Sequence, residues 1–304
     1  MRIAWIINEQ KTAEENRRFF GIKSPKPVKN KGVGVKRMKR LLVAAVLGFG
    51  AACCFGGCGC TNDVSDMRRY ADGDRYCVGN FTYSASEIKS VEIDWEGGRL
   101  EIEQSDAPEL SVMEENPSEE ERKLLHYFIE NGELKIRYCA SGLKGKIDEF
   151  YKSLRVEIPA GVSLDIENLS ADVSLGVLTL DEFSISTKNG NVSAEKITCK
   201  TGEIETQNGR VSIGDFVANE FDAESERGAL CLGFSKPTKG EIESGGDIKL
   251  LLYSGLGAKV KYRSFLGQFL CGKDYEKTSE GYQIAGQEYC VFDVEAPRGK
   301  LEIQ

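Results

Sequence analysis

The sequence predicts an all-β protein built around a β-solenoid, parallel β-helix-like, with coils of about 19 residues and flanking β-hairpins as caps. Three observations carry this. The first is a recurrence: Ser170-Ala171-Asp172-Val173-Ser174-Leu175, Asn189-Gly190-Asn191-Val192-Ser193-Ala194, Asn208-Gly209-Arg210-Val211-Ser212-Ile213, Arg227-Gly228-Ala229-Leu230-Cys231-Leu232 and Gly245-Gly246-Asp247-Ile248-Lys249-Leu250 align with one another. The step is 19 residues from 171 to 190, 190 to 209 and 209 to 228, then 18 to 246. The second is a pair of inward columns. Side chains alternate along a strand, and the second and fourth residues past each turn are apolar throughout: Val173/Leu175, Val192/Ala194, Val211/Ile213, Leu230/Leu232 and Ile248/Leu250. Before the turn Ile166, Ile185, Ile204, Ala223 and Ile242 form a second such column. The third is polarity at the outward places, Asp165, Ser184, Glu203 and Asp222 on one strand and Ser174, Ser193, Ser212 and Lys249 on the other.

The same spacing fits a meander of hairpins with type I′ Asn-Gly turns. The solenoid is preferred because like residues recur at like places, Thr187/Thr206, Val192/Val211 and Asn189/Asn208, as parallel in-register coils allow. Each Asn-Gly then reads as a corner in the left-handed conformation.

Around residues 161–252, the repeats, the chain divides into residues 1–37, a basic leader or a mis-set start; 38–57, a signal peptide; 58–75, a lipidated cysteine and polar spacer; 76–160, a β-hairpin region; and 253–304, a β cap. Lys36-Arg37-Met38-Lys39-Arg40 precedes the uncharged run Leu41 to Gly57, which has the basic flank and short apolar stretch of an export signal. Its Gly56-Gly57-Cys58 ending resembles the bacterial lipoprotein signal, which implies lipidation of Cys58, with Cys53 as second choice and an uncleaved single-span anchor as the alternative. Met38 is the expected natural start.

Val91–Trp95 and Leu100–Glu103, joined by Gly97-Gly98, read as a hairpin, as do Tyr127–Ile129 and Leu134–Tyr138 around Asn131-Gly132. Ser118-Glu119-Glu120-Glu121 reads as a capping box opening a short helix. Lys259–Tyr262, Cys290–Val294 and Lys300–Ile303 read as strands covering the open end of the stack.

Across the 304 residues the net charge is −8, with 40% hydrophobic and 29% charged residues. Residues 1–57 hold 12 Lys/Arg and 3 Asp/Glu, which leaves 28 against 45, or −17, for the rest. So acidic a body is repelled by phosphates, which excludes nucleic acid as a partner. Ten cysteines without zinc-site spacing and a lone histidine, His126, point to no metal site and no cofactor, and His126 reads as structural.

The pattern Leu154-x-Val156-x-Ile158-Pro159, Leu164-x-Ile166 and the Asn-Gly-x-Val coils, with Val91-x-Ile93-Asp94-Trp95 upstream and Gly299-Lys300-Leu301-Glu302-Ile303 at the end, resembles the bacterial candidate-adhesin family called domain of unknown function 4097. The resemblance spans about Tyr76 to Gln304. It implies a capped β-solenoid on exported or membrane-anchored bacterial proteins, with no catalytic residues. Ala171 stands where later coils have glycine.

The site candidates are few. Glu167, Glu205, Glu224 and Glu243 form an acidic column interrupted by Ser186, suited to calcium, a basic surface or nothing beyond solvation. Cys271 and Cys290 could join in an exported protein or stay free and buried. The expected function is a non-catalytic, lipid-anchored envelope module for binding, display or structure. Its partners would be the membrane, through the lipid, and a protein, glycan or cationic peptide. The alternatives are an envelope-stress or cationic-peptide-responsive binding protein and, further off, a carbohydrate-active β-helix enzyme.

Overall fold

A computed structural model of the chain describes residues 67–145, 151–253 and 255–304. The body, Asp63–Gln304, is a stack of nine coils, each crossing two facing sheets. In spatial order, coil 1 is Glu133–Arg137 with Ser153–Ile158, coil 2 is Ser90–Trp95 with Arg99–Gln104, and coil 3 is Ser163–Asn168 with Asp172–Thr179. Coil 4 is Glu182–Thr187 followed by residues 192–198 of the long strand Val192–Thr206. Coil 5 runs from 201–206 of that strand into 211–217 of Val211–Ser225, and coil 6 from 220–225 into Leu230–Phe234. Coil 7 is Lys239–Ser244 with Ile248–Leu252, coil 8 Glu288–Glu295 with Leu301–Ile303, and coil 9 Leu256–Arg263 with Phe269–Cys271. All pairing between coils is parallel and in register, for example Val192↔Val211 and Ile204↔Ala223.

The apolar columns read from the sequence face inward. Val173, Val192, Val211, Leu230 and Ile248 are at most 2% exposed, as are Ile166, Ile185, Ile204, Ala223 and Ile242. A further column alternates in size: Phe183, Gly202, Phe221, Gly240 and Phe292 occupy successive coils. A Cβ on Gly202 would lie 2.4 Å from the Phe216 ring, and one on Gly240 2.1 Å from the Phe221 ring. The glycines leave room for rings reaching over from neighbouring strands, so Phe216 and Phe221 meet edge to face at 5.3 Å.

The corners differ from the expectation. Gly190, Gly209 and Gly228 do not have positive φ. They are required by clearance instead: a Cβ would stand 1.9 Å from Ala171 O, 2.0 Å from Gly190 O and 1.9 Å from Gly209 O, because each corner backbone is stacked on the one before. Ala171 fits the first of these corners fully buried, where Asn168 accepts from its N–H at 2.9 Å and donates to its carbonyl at 2.7 Å. Above Asn168, buried hydroxyls repeat the device. Thr187 donates to Gly190 O at 3.3 Å, Thr206 to Gly209 O at 3.1 Å and Ser225 to Gly228 O at 2.8 Å. Backbone groups turned inward at a corner need such partners.

Several other expectations are corrected. Ser90–Trp95 and Arg99–Gln104 do not pair with each other; both pair in parallel with coils 1 and 3, and Gly98, at φ +90°, turns the chain into the opposite sheet. A hairpin would leave one face of each strand in water, whereas the coil buries Ile93, Trp95, Leu100 and Ile102 completely. The Asn131-Gly132 hairpin does form, at φ 55° and 86°. The capping box does not: only Glu121–Lys123 is helical, a single 3-10 turn, and Ser118 caps its own turn by accepting from the N–H of Glu120. Residues 67–75, read as spacer, lie on the body, with Met67 2% exposed.

Both ends of the stack depart from chain order. Coil 2 precedes coil 1 in the chain, and coil 8 is the last segment of all, inserted between coils 7 and 9. The strands expected to cover the C-terminal end thus make two further coils. Antiparallel strands cover three of the four outermost strands: His126–Glu130 and Glu109–Glu115 on coil 1, and Tyr282–Ile284 on Leu256–Arg263 of coil 9. At the first end a buried ion pair locks the link into coil 1. Lys152 Nζ lies 3.2 Å from Glu114 Oε1, donates to Lys123 O at 2.6 Å and also to Tyr138 O, and sits over the rings of Trp95 and Tyr138.

Candidate functional site

Parallel register turns a two-residue sequence motif into a pair of columns on the outside of a sheet. From coil 2 to coil 8 the outward pairs are Glu92/Asp94, Asp165/Glu167, Ser184/Ser186, Glu203/Glu205, Asp222/Glu224, Glu241/Glu243 and Asp293/Glu295. The predicted column Glu167, Glu205, Glu224 and Glu243 falls on successive rungs with Ser186 between, and it is one half of a wider face. Beyond each end stands a Lys-x-Arg pair, Lys135/Arg137 on coil 1 and Lys261/Arg263 on coil 9.

The basic pairs neutralise the ends. Arg137 and Lys135 engage Glu92, the latter at 3.4 Å. Lys261 lies 3.2 Å from Asp293, and Arg263 2.6 Å from Asp293 and 3.3 Å from Glu295. Arg68, just after the start of the body, bridges Asp94, at 2.9 Å, and Glu167. In the middle, carboxylates stand in register on successive coils. Burial, with Glu203, Glu224 and Asp222 around it, pushes Glu205 up to about 7 from 4.5. Asp165 is also raised, by burial first and then by Glu167, Glu92 and Glu203, against a hydrogen bond from Ser184. Strand neighbours stand about 4.8 Å apart, a spacing at which two like charges repel by just under ~1 kcal/mol in a water-like medium and more where partly buried.

Among the described residues no three His, Cys, Asp or Glu side chains are grouped as metal ligands would be. His126 is buried with Nδ1 3.0 Å from Leu124 O, and burial lowers its pKa. Cys271 and Cys290 are free thiols on opposite sheets; Cys290 Sγ faces Lys236 O and Cys271 Sγ faces Lys273 O. Cys58 lies outside the described residues. The sequence reading missed Glu92/Asp94, Asp293/Glu295 and both Lys-x-Arg pairs. Their signal was the acid-x-acid or base-x-base spacing, hidden because they lie outside the regular repeats.

The Toastrack DUF4097 family description matches residues 78–262, coils 1 to 7 and most of the first strand of coil 9. The chain belongs to the Toastrack family. Its β-solenoid-like fold is that of the family. No curated protein matches the chain in sequence. Among solved structures it is similar to a candidate adhesin from Bacteroides fragilis, at 12% identity and TM-score 0.42, covering 74% of this chain and 96% of that one. A candidate adhesin from Parabacteroides distasonis gives 12% and 0.41, covering 75% and 97%. A candidate lipid-binding protein from the same organism gives 11% and 0.33, covering 74% and 97%. Likenesses at this level carry no functional weight.

Proposed function

We propose that this Toastrack protein is a non-catalytic binding module displayed on the bacterial envelope, and that its double carboxylate face docks a cationic partner, a basic peptide or the basic surface of a protein. The observation that carries this is the in-register stacking of carboxylates through coils 5 to 7, Glu203/Glu205, Asp222/Glu224 and Glu241/Glu243. Like charges directly opposite one another destabilise a sheet. A partner bringing positive charge relieves that repulsion and gains from every rung, and repeated weak contacts along a rigid stack add up. At each end the chain's own Lys-x-Arg pairs supply the same complement. The sheet strands, buried on their inner side, fix the backbone positions of the carboxylates without a partner's help, so no backbone ordering cost falls on binding.

Attachment by a lipid on Cys58 accounts for the apolar run and its Gly-Gly-Cys ending. Met67 is packed on the body, so eight residues lie between it and Cys58, and the nine residue steps reach at most about 30 Å. Intact mass of the mature protein tests this: an N-terminal diacylglyceryl-Cys58 is expected, and any mature species retaining residues 38–57 refutes it.

The test of the face uses the purified full-length protein and a fluorescent deca-lysine peptide. Binding should weaken at least tenfold between 20 and 300 mM NaCl, on the order expected when several charges are matched, and should be abolished by the combined Glu203→Lys and Glu224→Lys change. Binding indifferent to salt, or kept by the charge-reversed variant, overturns the proposal.

A further inference from the structure

Residues 256–303 form a two-coil unit joined to the rest by one crossing of the chain, between Leu252 and Leu256. From coil 7 the chain passes to coil 9 and only then returns to fill coil 8. Within this unit the pairing is long, Leu256–Arg263 against all of Glu288–Glu295. Across the seam to coil 7 the first sheet's pairing is shorter, Lys239–Glu243 against 291–295, while on the second sheet Ile248–Leu250 pairs with Leu301–Ile303 over the same three residues as Phe269–Cys271 does within the unit.

On the first sheet charge divides the same way. Asp293 and Glu295 make their ion pairs with Lys261 and Arg263 of coil 9. Across the seam the register sets Glu241 against Asp293 and Glu243 against Glu295, acid against acid. On the second sheet Lys249 lies 3.8 Å from Glu302 and Asp247 accepts from the N–H of Lys300 at 3.0 Å; the rest of the attraction is apolar: the Phe292 ring lies 5.0 Å from Phe234 and 6.2 Å from Phe221, and Phe292, Val294, Leu301 and Ile303 are at most 1% exposed.

We propose that the seam between coils 7 and 8 is an exchange interface, at which the unit 256–303 of one chain docks on coil 7 of a second copy to give an intertwined dimer. An open seam bares the apolar edge of coil 7 and its strands Lys239–Ser244 and Ile248–Leu252. Such an edge demands a partner strand. The surface that complements it ring for ring and in register is the coil 8 face of this sequence, which a second copy carries. Exchange reproduces every contact of the seam, so the balance between closed monomer and dimer rests on protein concentration and on the 252–256 connector.

The test mixes two full-length chains in detergent, one tagged and carrying Glu243→Cys, the other untagged and carrying Glu295→Cys, refolded together from denaturant. These positions are register partners on adjacent strands, within disulfide reach. Because native thiols remain, the 243–295 linkage is read by peptide mass spectrometry. A tagged-to-untagged 243–295 disulfide is expected in a species of dimer mass, at least tenfold above that from a mixture of Glu205→Cys and Glu295→Cys chains. A single chain carrying both Glu243→Cys and Glu295→Cys should close the same bond within itself. The proposal is overturned if that chain closes the bond but the mixture does not, since exchange is then absent. It is equally overturned if the 205–295 mixture links as well, which is random association, or if the double variant fails to link, which denies the register of the seam.

Discussion

Glu205→Gln should stabilise the protein at pH 8 and leave it unchanged at pH 4. Glu205 stands in the middle of the carboxylate face, with Glu203 beside it and Glu224 in register on the next coil. Burial and those neighbours raise it from 4.5 to about 7 in the folded protein. A raised carboxylate binds its proton more tightly folded than unfolded, so the folded state gains below pH 4.5 and that advantage is lost as pH rises through about 7. Each pH unit of displacement corresponds to ~1.4 kcal/mol, which sets a ceiling of about 3 kcal/mol. The side chain is partly solvated, and screening reduces this to about 1 kcal/mol. Glutamine keeps the shape and removes the charge. Thermal unfolding followed by circular dichroism should show a Tm higher by about 2–4 °C at pH 8 and no difference at pH 4, the gap narrowing at 0.5 M NaCl. An equal gain at both pH values would mean that the benefit is not electrostatic. A loss at pH 8 would mean that Glu205 is held by a favourable partner, and either result refutes the reasoning.

Three further substitutions probe the interior. Gly202→Ala places a methyl 2.4 Å from the Phe216 ring and should cost about 1–3 kcal/mol in urea unfolding, while Gly202→Ala combined with Phe216→Leu should recover part of that loss; additive losses would deny the pairing of glycine and ring. Thr206→Val removes the hydroxyl donated to Gly209 O inside the corner and should cost about 1–3 kcal/mol with little change in volume, whereas a neutral result would mean that water serves that carbonyl. Lys152→Ala leaves Glu114, 2% exposed, without its cation and should cost about 3–5 kcal/mol; Lys152→Ala with Glu114→Gln should cost less than Lys152→Ala alone, and the reverse order would show that the pair is not what holds the first coil.

The repeat made the middle of the fold legible. Val173, Val192, Val211 and Leu230 announce an inward column because period 2 within a coil and period 19 between coils both survive in one sequence. The ends were not legible for a physical reason. Ser90–Gln104 is as good a coil as any other, but its neighbours in space, 133–158 and 163–179, are set by pairing and not by spacing, and the intervening links differ in length. The corners were misread because two needs select the same residue. Left-handed φ and a closely stacked backbone both demand glycine, and only the 1.9 Å clearance at Gly190 shows which applies. The acidic face was half legible. Glu167, Glu205, Glu224 and Glu243 lie inside the repeats, while Asp94 and Glu295 join them only once the displaced coils are put in register.

Those displaced coils explain how a short stack protects itself. A solenoid laid down in chain order would end in two strands with one neighbour each, open to any passing edge. At the C-terminal end the chain instead steps outward past an empty place, covers Leu256–Arg263 with the antiparallel strand Tyr282–Ile284, and returns to fill the gap with strands paired on both sides. Phe292, Leu301 and Ile303 of that returning segment are buried between coils 7 and 9. The cost is a seam where acid faces acid at Glu243 and Glu295, held by aromatic packing, by the Lys249–Glu302 pair and by first-sheet pairing shorter than that on its other side. The arrangement that shields the edge of the stack therefore also creates its most separable joint, and the basic pair Lys261/Arg263 belongs to the movable side of it. Opening that joint would strip the last acidic rung of its cations only if coils 8 and 9 parted as well, which their longer pairing opposes.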